Sequence, residues 1–145
     1  MTGPDNCTAG YANGTILVVE DSDPIRHVVC AMLSQTGYTC LEASDGSEAL
    51  HKLRGGDPIQ LVLTDVVMPK MDGAELATHI AREYPWLPIL FMSGYTDNPL
   101  VQAIERSPMF LAKPFTVSTL TTTVRRALEE PWEGLPEWRR GFHSR

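Results

Sequence analysis

Apolar residues fall along this chain in short blocks that alternate between two rhythms. "TILVVE" (15–20), "YTCLEA" (38–43), "IQLVLTD" (59–65), "PILFMS" (88–93) and "MFLA" (109–112) are brief runs, the pattern of strands covered on both faces. Between them the spacing becomes helical. Ile25, Val28, Val29, Met32 and Leu33 predict a first helix, with Pro24 near its first turn and Gly37 as its stop. "DGSEALHKLRGG" predicts a short second helix closed by Gly55-Gly56, and "GAELATHIAREY" a third that ends before Pro85. "PLVQAIER" (99–106), bounded by Pro99 and Pro108, predicts a short fourth helix, expected to be the least stable element. The last helix, "VSTLTTTVRRALEE", carries Val117, Leu120, Val124 and Leu128 on one stripe.

Five strands alternating with five helices predict an α/β domain, a parallel sheet with helices on both faces. Right-handed crossovers leave few topologies, and the flavodoxin-like (βα)5 arrangement of strand order 2-1-3-4-5 is the expectation. Residues 1–14 have no periodicity and read as a flexible leader. The domain is expected over 15–130. Residues 131–145 read as a C-terminal tail whose aromatics, Trp132, Trp138 and Phe142, either dock or hang free.

Composition narrows the function. A length of 145 residues suits one domain with a real core. A net charge of −6 argues against direct nucleic-acid binding, since no basic stripe is available to displace counterions. No apolar run approaches the ~18 residues of a membrane span, and no secretory signal opens the chain, so a cytoplasmic protein with no direct membrane contact is expected. Cys7, Cys30 and Cys40 lack metal spacing and read as incidental reduced thiols. His27, His51, His79 and His143 show no ligand spacing either.

The chemistry sits where the strands stop. The first ends in Glu20-Asp21, the third in Asp65, the fourth in Ser93 and the fifth in Lys113. In an open parallel sheet these tips share one edge, the edge at which ligands bind. Adjacent strands lie about 4.8 Å apart, so Asp21 should stand beside Asp65; Lys113 starts on the order of 10 Å away and reaches back with its long arm. Clustered carboxylates repel by roughly 3 kcal/mol per pair at ~5 Å and an effective dielectric near 20, which calls for a cation. An all-oxygen donor set selects a hard ion, Mg²⁺ or Mn²⁺. Lys113 and the Ser93 hydroxyl, aimed at the same place, suit a second anion such as a phosphoryl group.

The segments "VVEDSDP", "LVLTDVVMPKMDG", "FMSGY" and "FLAKPF", in this order and at these strand ends, closely resemble the receiver domain of bacterial two-component response regulators over residues 15–129. The resemblance implies that Asp65 is the phosphoacceptor. It makes Glu20 and Asp21 the acidic pair that holds Mg²⁺ with Asp65 and the Val67 carbonyl. Ser93 becomes the hydroxyl that bonds the phosphoryl group, Lys113 its ion-pairing lysine and Phe110 the aromatic switch. The Lys113-Pro114 peptide is expected to be cis. Val67 and Tyr95, two positions past Asp65 and Ser93, would flank the phosphoryl group, with Tyr95 slowing attack by water.

The implied donor is a sensor histidine kinase or a histidine phosphotransfer protein. The implied output is a changed surface on the fourth helix, fifth strand and fifth helix, read by a downstream protein the sequence does not name. The chain would be a switch with self-phosphorylating and self-dephosphorylating chemistry, not a conventional enzyme. A stand-alone regulator and a piece of a hybrid kinase both remain open. Two rivals are weaker. Aspartate-nucleophile phosphotransferases place D-x-D after the first strand and add a cap domain. A receiver-like interaction module that is never phosphorylated would usually have lost the aspartate, the lysine or the acidic pair, and this chain keeps all of them.

Overall fold

In the computed structural model, which describes residues 14–94, 97–104 and 109–129, the five apolar runs become β1 (Thr15–Val19), β2 (Thr39–Ala43), β3 (Leu61–Asp65), β4 (Ile89–Ser93) and β5 (Phe110–Ala112). The helices are α1 (Asp23–Gln35), α2 (Gly46–Arg54), α3 (Gly73–Glu83), α4 (Pro99–Ile104) and α5 (Val117–Glu129). Every strand pair is parallel and the order is β2-β1-β3-β4-β5, as expected from the sequence. Tyr95, Trp132, Trp138, Phe142, Cys7 and His143 lie outside the described residues.

Successive strand residues point to opposite faces, which divides the core in two. Leu17, Val19, Val62, Ile89 and Phe91 pack with Ala49, Leu50 and Leu53 of α2, Leu76 and Ile80 of α3, and Val101 of α4. Their neighbours Ile16, Val18, Leu61, Leu63, Leu90 and Met92 pack with Val29, Cys30 and Leu33 of α1 and with Leu120, Val124 and Ala127 of α5. Full burial of each large aliphatic or aromatic side chain contributes roughly 1.5–3 kcal/mol, so β3 and β4, buried along their whole length, anchor the sheet. The edge strand β2 is only half covered.

Polar residues fix where the helices begin. Ser22 caps α1, accepting from the Ile25 amide at 3.4 Å, and Asp45 caps α2, accepting from the Glu48 amide at 2.7 Å. Asp72 and Glu75 form a reciprocal capping box at α3, with bonds of 2.8 and 3.1 Å. Each of these helices follows a strand tip, so the caps hold the loops of the ligand-binding edge in place.

The expected inner face of α1 needs correction. Its buried residues are Arg26, Val29, Cys30 and Leu33, while Ile25 and Val28 are 39% and 53% exposed. The helix is turned by about one residue because Arg26 is drawn inward by acceptors after β1 and on β2, with one more at the start of α1 itself. Its Nη1 donates to the Glu20 carbonyl at 2.8 Å, its Nη2 to Asp23 at 2.7 Å and its Nε to Glu42 at 2.9 Å. The displaced Ile25 and Val28 line an apolar groove with Pro24, Pro114 and Phe115, joined by Met32, which also packs against the core.

Candidate functional site

Four strand tips converge at one edge of the sheet. The β1–β3 register sets Val19 beside Thr64, so Glu20 follows β1 level with Asp65 at the end of β3. On the other side of β3, Asp65 is paired with Met92, which places Ser93 just beyond it. The Lys113 amide donates to the Ser93 carbonyl at 3.0 Å and carries the β4–β5 pairing one residue past β5. The Lys113-Pro114 peptide that follows is cis, as expected.

The carboxylates of Glu20, Asp21 and Asp65 each offer an oxygen within 4.8 Å of the others. Glu20 and Asp65 are buried, and Asp21 is exposed. Lys113 closes the cluster: its Nζ stands 2.7 Å from Glu20 Oε1 and 3.5 Å from Asp65 Oδ2. The other Glu20 oxygen, Oε2, accepts from the Ser22 amide at 3.2 Å. Asp65 Oδ1 is buried and has no hydrogen-bond partner.

That arrangement raises the Asp65 carboxyl to about 7. Burial is the largest cause; Lys113 opposes it, and the negative charges of Glu20 and Asp21 add to it. A carboxylate so poorly compensated, with one bare oxygen, is a site built for a cation or an electrophile. All nearby donors are oxygens, which fits a hard divalent ion, and the buried, unpartnered Oδ1 gives such an ion an open coordination position.

Above Asp65 lies a crevice of about 400 Å³, walled by Glu20, Asp21, Ser22, Val67, Pro69 and Lys113 among others. Val67 is therefore at the site. Met68 is buried in the core and also lines the floor of the crevice. Ser93 is buried at the tip of β4. Phe110, half-buried at the start of β5, pairs in register with Phe91 and packs against the core on the α2–α3 side of the sheet. The apolar groove beside α1 also includes Lys113 in its lining but holds no acidic cluster.

Two contacts that shape the site were not read from the sequence, one at Arg26 and one at Gly73. Arg26 supports the main chain of Glu20 from behind, and its signal was slight: a single arginine among apolar residues on a helix. Gly73 makes the other. A Cβ at that position would fall on the Asp65 carbonyl oxygen and 2.9 Å from Val66 Cα. The Gly73 amide also donates to the Val66 carbonyl at 2.8 Å, which ties the start of α3 to the end of β3.

The chain as a whole is similar to known proteins. The profile of the response regulator receiver domain matches residues 16–125. The sensor kinase CckA of Brucella abortus is 36% identical over 121 residues, 81% of this chain and 13% of the kinase. The transcriptional regulator NtrC of Escherichia coli is 33% identical over 117 residues, 79% of this chain and 25% of NtrC. The chain thus spans a quarter or less of these two relatives. The receiver protein CpdR of Brucella abortus is 34% identical over 116 residues, 78% of this chain and 95% of CpdR. Among solved structures, the chemotaxis protein CheY4 of Vibrio cholerae is 33% identical, with a TM-score of 0.69 over 79% of this chain and 98% of that one.

Proposed function

This chain belongs to the response regulator receiver domain family, and on that premise we propose that it is a phosphoacceptor switch whose acceptor is Asp65. The observation that carries the proposal is Asp65 itself: a buried strand-tip carboxylate with Oδ1 bare and Oδ2 facing Lys113 at 3.5 Å.

Glu20, Asp21, Asp65 and the Val67 carbonyl would hold Mg²⁺ (or Mn²⁺), which would supply positive charge against the oxygens of an incoming phosphoryl group. The remaining work falls to side chains. One Asp65 oxygen attacks phosphorus in line with the bond to a phosphohistidine of a sensor histidine kinase or phosphotransfer protein. The P–N bond breaks, the imidazole leaves with the electron pair, and an acyl phosphate remains on Asp65. Because the transition state is loose, alignment and charge cancellation do most of the catalysis, which suits Lys113 Nζ beside both carboxylates. Water attacking the same phosphorus regenerates the carboxylate and releases inorganic phosphate, and Val67 and Tyr95 would set that rate. The Ser93 hydroxyl would bond a phosphoryl oxygen, and Phe110 would respond by packing inward, altering the surface of α4, β5 and α5. The switch unit is residues 15–130, in the cytoplasm; among the described residues no helix is long and apolar enough to cross a membrane.

Incubation with a small acyl phosphate donor and Mg²⁺, followed by intact mass, tests the proposal. The wild type should gain one phosphoryl group that EDTA prevents and that Asp65→Asn lacks. An unmodified wild type would leave a receiver-like interaction module as the better reading.

A further inference from the structure

Outside the crevice, the described residues hold one other close pairing of reactive side chains. Cys30 on α1 and Cys40 on β2 are ten positions apart in sequence, yet Cys40 Sγ lies 3.7 Å from the Cys30 carbonyl oxygen. The Cys40 thiol donates to that carbonyl, and both cysteines are free. Cys30 is buried, whereas Cys40 is half-exposed on the edge strand. We propose that Cys30 and Cys40 are an oxidation site that a peroxide converts into a disulfide stapling α1 to β2.

The environment assigns the roles. Interaction with the neighbouring Cys30 draws Cys40 below the ordinary thiol value, against the effect of its partial burial. The same pairing pushes Cys30 up, and burial adds to it. Cys40 is also the half-exposed member of the pair, the one a peroxide reaches, so it is the thiolate that attacks. Its sulfur bonds one peroxide oxygen, the O–O bond breaks, and the departing hydroxide takes a proton to become water. Cys40 is now a sulfenic acid and no longer carries the charge that held the Cys30 proton. Cys30 gives up that proton and attacks the Cys40 sulfur; the S–S bond forms, the S–O bond breaks and a second water leaves. Two thiols are oxidised by two electrons and one peroxide is reduced. A dithiol reductant reverses the change.

The location gives the staple a consequence. Cys30 is one turn beyond Arg26 on α1, and Cys40 is two residues before Glu42 on the same face of β2. The thiol pair and the Arg26–Glu42 ion pair are thus successive rungs between the same two elements. Arg26 in turn donates to the Glu20 carbonyl at the crevice. Oxidation would fix the helix that supports the acidic pair.

The test uses the full chain carrying Cys7→Ser, which removes the third thiol, treated with hydrogen peroxide in the folded state and again in guanidinium chloride. The folded chain should lose two hydrogen atoms of mass, yield a Cys30–Cys40 linked peptide, and revert with dithiothreitol. Linkage should be at least about tenfold faster folded than denatured, and the oxidised form should melt about 5 °C higher. Adding Cys30→Ser should arrest oxidation at one oxygen on Cys40, trapped by dimedone. Adding Cys40→Ser should leave Cys30 unmodified over the same interval. Two free thiols after treatment of the folded chain, or linkage no faster than in denaturant, would overturn the proposal. These readouts concern sulfur alone and hold whether or not Asp65 accepts a phosphoryl group.

Discussion

Lys113 is bonded more closely to Glu20 than to Asp65: its Nζ is 2.7 Å from the one carboxylate and 3.5 Å from the other. The ammonium therefore cancels most of the Glu20 charge and only part of that on Asp65. This leaves the buried β3 carboxylate less compensated than Glu20, and it places a resident cation where a divalent ion would compete for the same oxygens.

That competition yields the first prediction. Coulomb repulsion between an ammonium and a divalent ion ~5 Å apart is about 7 kcal/mol at an effective dielectric of 20, and water in the open crevice screens much of it. Lys113→Met should raise Mg²⁺ affinity about tenfold in a calorimetric titration at pH 8, while acyl phosphate formation on Asp65 falls sharply. Equal or weaker Mg²⁺ binding by the variant would show that Lys113 does not contest the ion's place.

Arg26 gives a second prediction. It is 9% exposed and satisfies the Glu20 carbonyl, whereas its partners Glu42 and Asp23 are 40% and 70% exposed. The bonds to the two carboxylates are screened by water, so the weight falls on the carbonyl bond and on packing. Arg26→Met should destabilise the fold by about 2 kcal/mol in urea unfolding and should also weaken Mg²⁺ binding, because Glu20 is no longer held from behind. Arg26→Lys should recover only a fraction of each loss, since an ammonium cannot serve three acceptors in fixed directions. Full recovery by lysine would reduce the role of Arg26 to charge alone.

The strands and the convergence of Glu20, Asp21, Asp65 and Lys113 were legible in the sequence for a physical reason. Parallel strands buried on both faces must be continuous apolar runs, and their ends must share an edge, so the polar residue that ends each run is placed without knowing any side-chain contact. The face of α1 was not legible. Ile25, Val28, Val29 and Leu33 fit a stripe whose direction a turn of one residue leaves almost equally apolar. The choice was made by acceptors elsewhere, the Glu20 carbonyl and the Glu42 carboxylate, which drew in a residue that hydropathy assigns to water. The Cys30–Cys40 pairing was hidden by that same turn, and the Gly73 contact depends on how closely α3 approaches β3.

Gly73 is the third position at which a small change should tell. The obstacle is space and not backbone angle, because an added methyl would meet the main chain of Asp65 and Val66. Backbone yields less readily than a side chain, so Gly73→Ala should cost about 2 kcal/mol and lower phosphoryl acceptance at least about tenfold by displacing the Asp65 carboxylate. Ala74, one residue on, is the control: Ala74→Ser should leave acceptance nearly unchanged in the same mass assay. Equal acceptance by Gly73→Ala and wild type would mean that the loop absorbs the methyl without moving Asp65.

Asp65 itself should impose a pH dependence on stability in the absence of metal. Its carboxyl titrates near 7 in the fold, raised chiefly by burial, against about 3.9 in an unfolded chain. The folded state then holds the proton more tightly, so this group's contribution to stability is complete below about pH 4 and is lost as pH rises through 7. Asparagine has no proton to lose. In EDTA, urea unfolding should find Asp65→Asn and wild type nearly equal at pH 4.5, with the variant more stable by on the order of 2 kcal/mol at pH 8. Saturating Mg²⁺ at pH 8 should then stabilise the wild type and shrink the gap, because an ion that binds only the folded state adds stability by mass action. A difference that stays flat between the two pH values would mean that Asp65 is ionised throughout, its charge already balanced by Lys113.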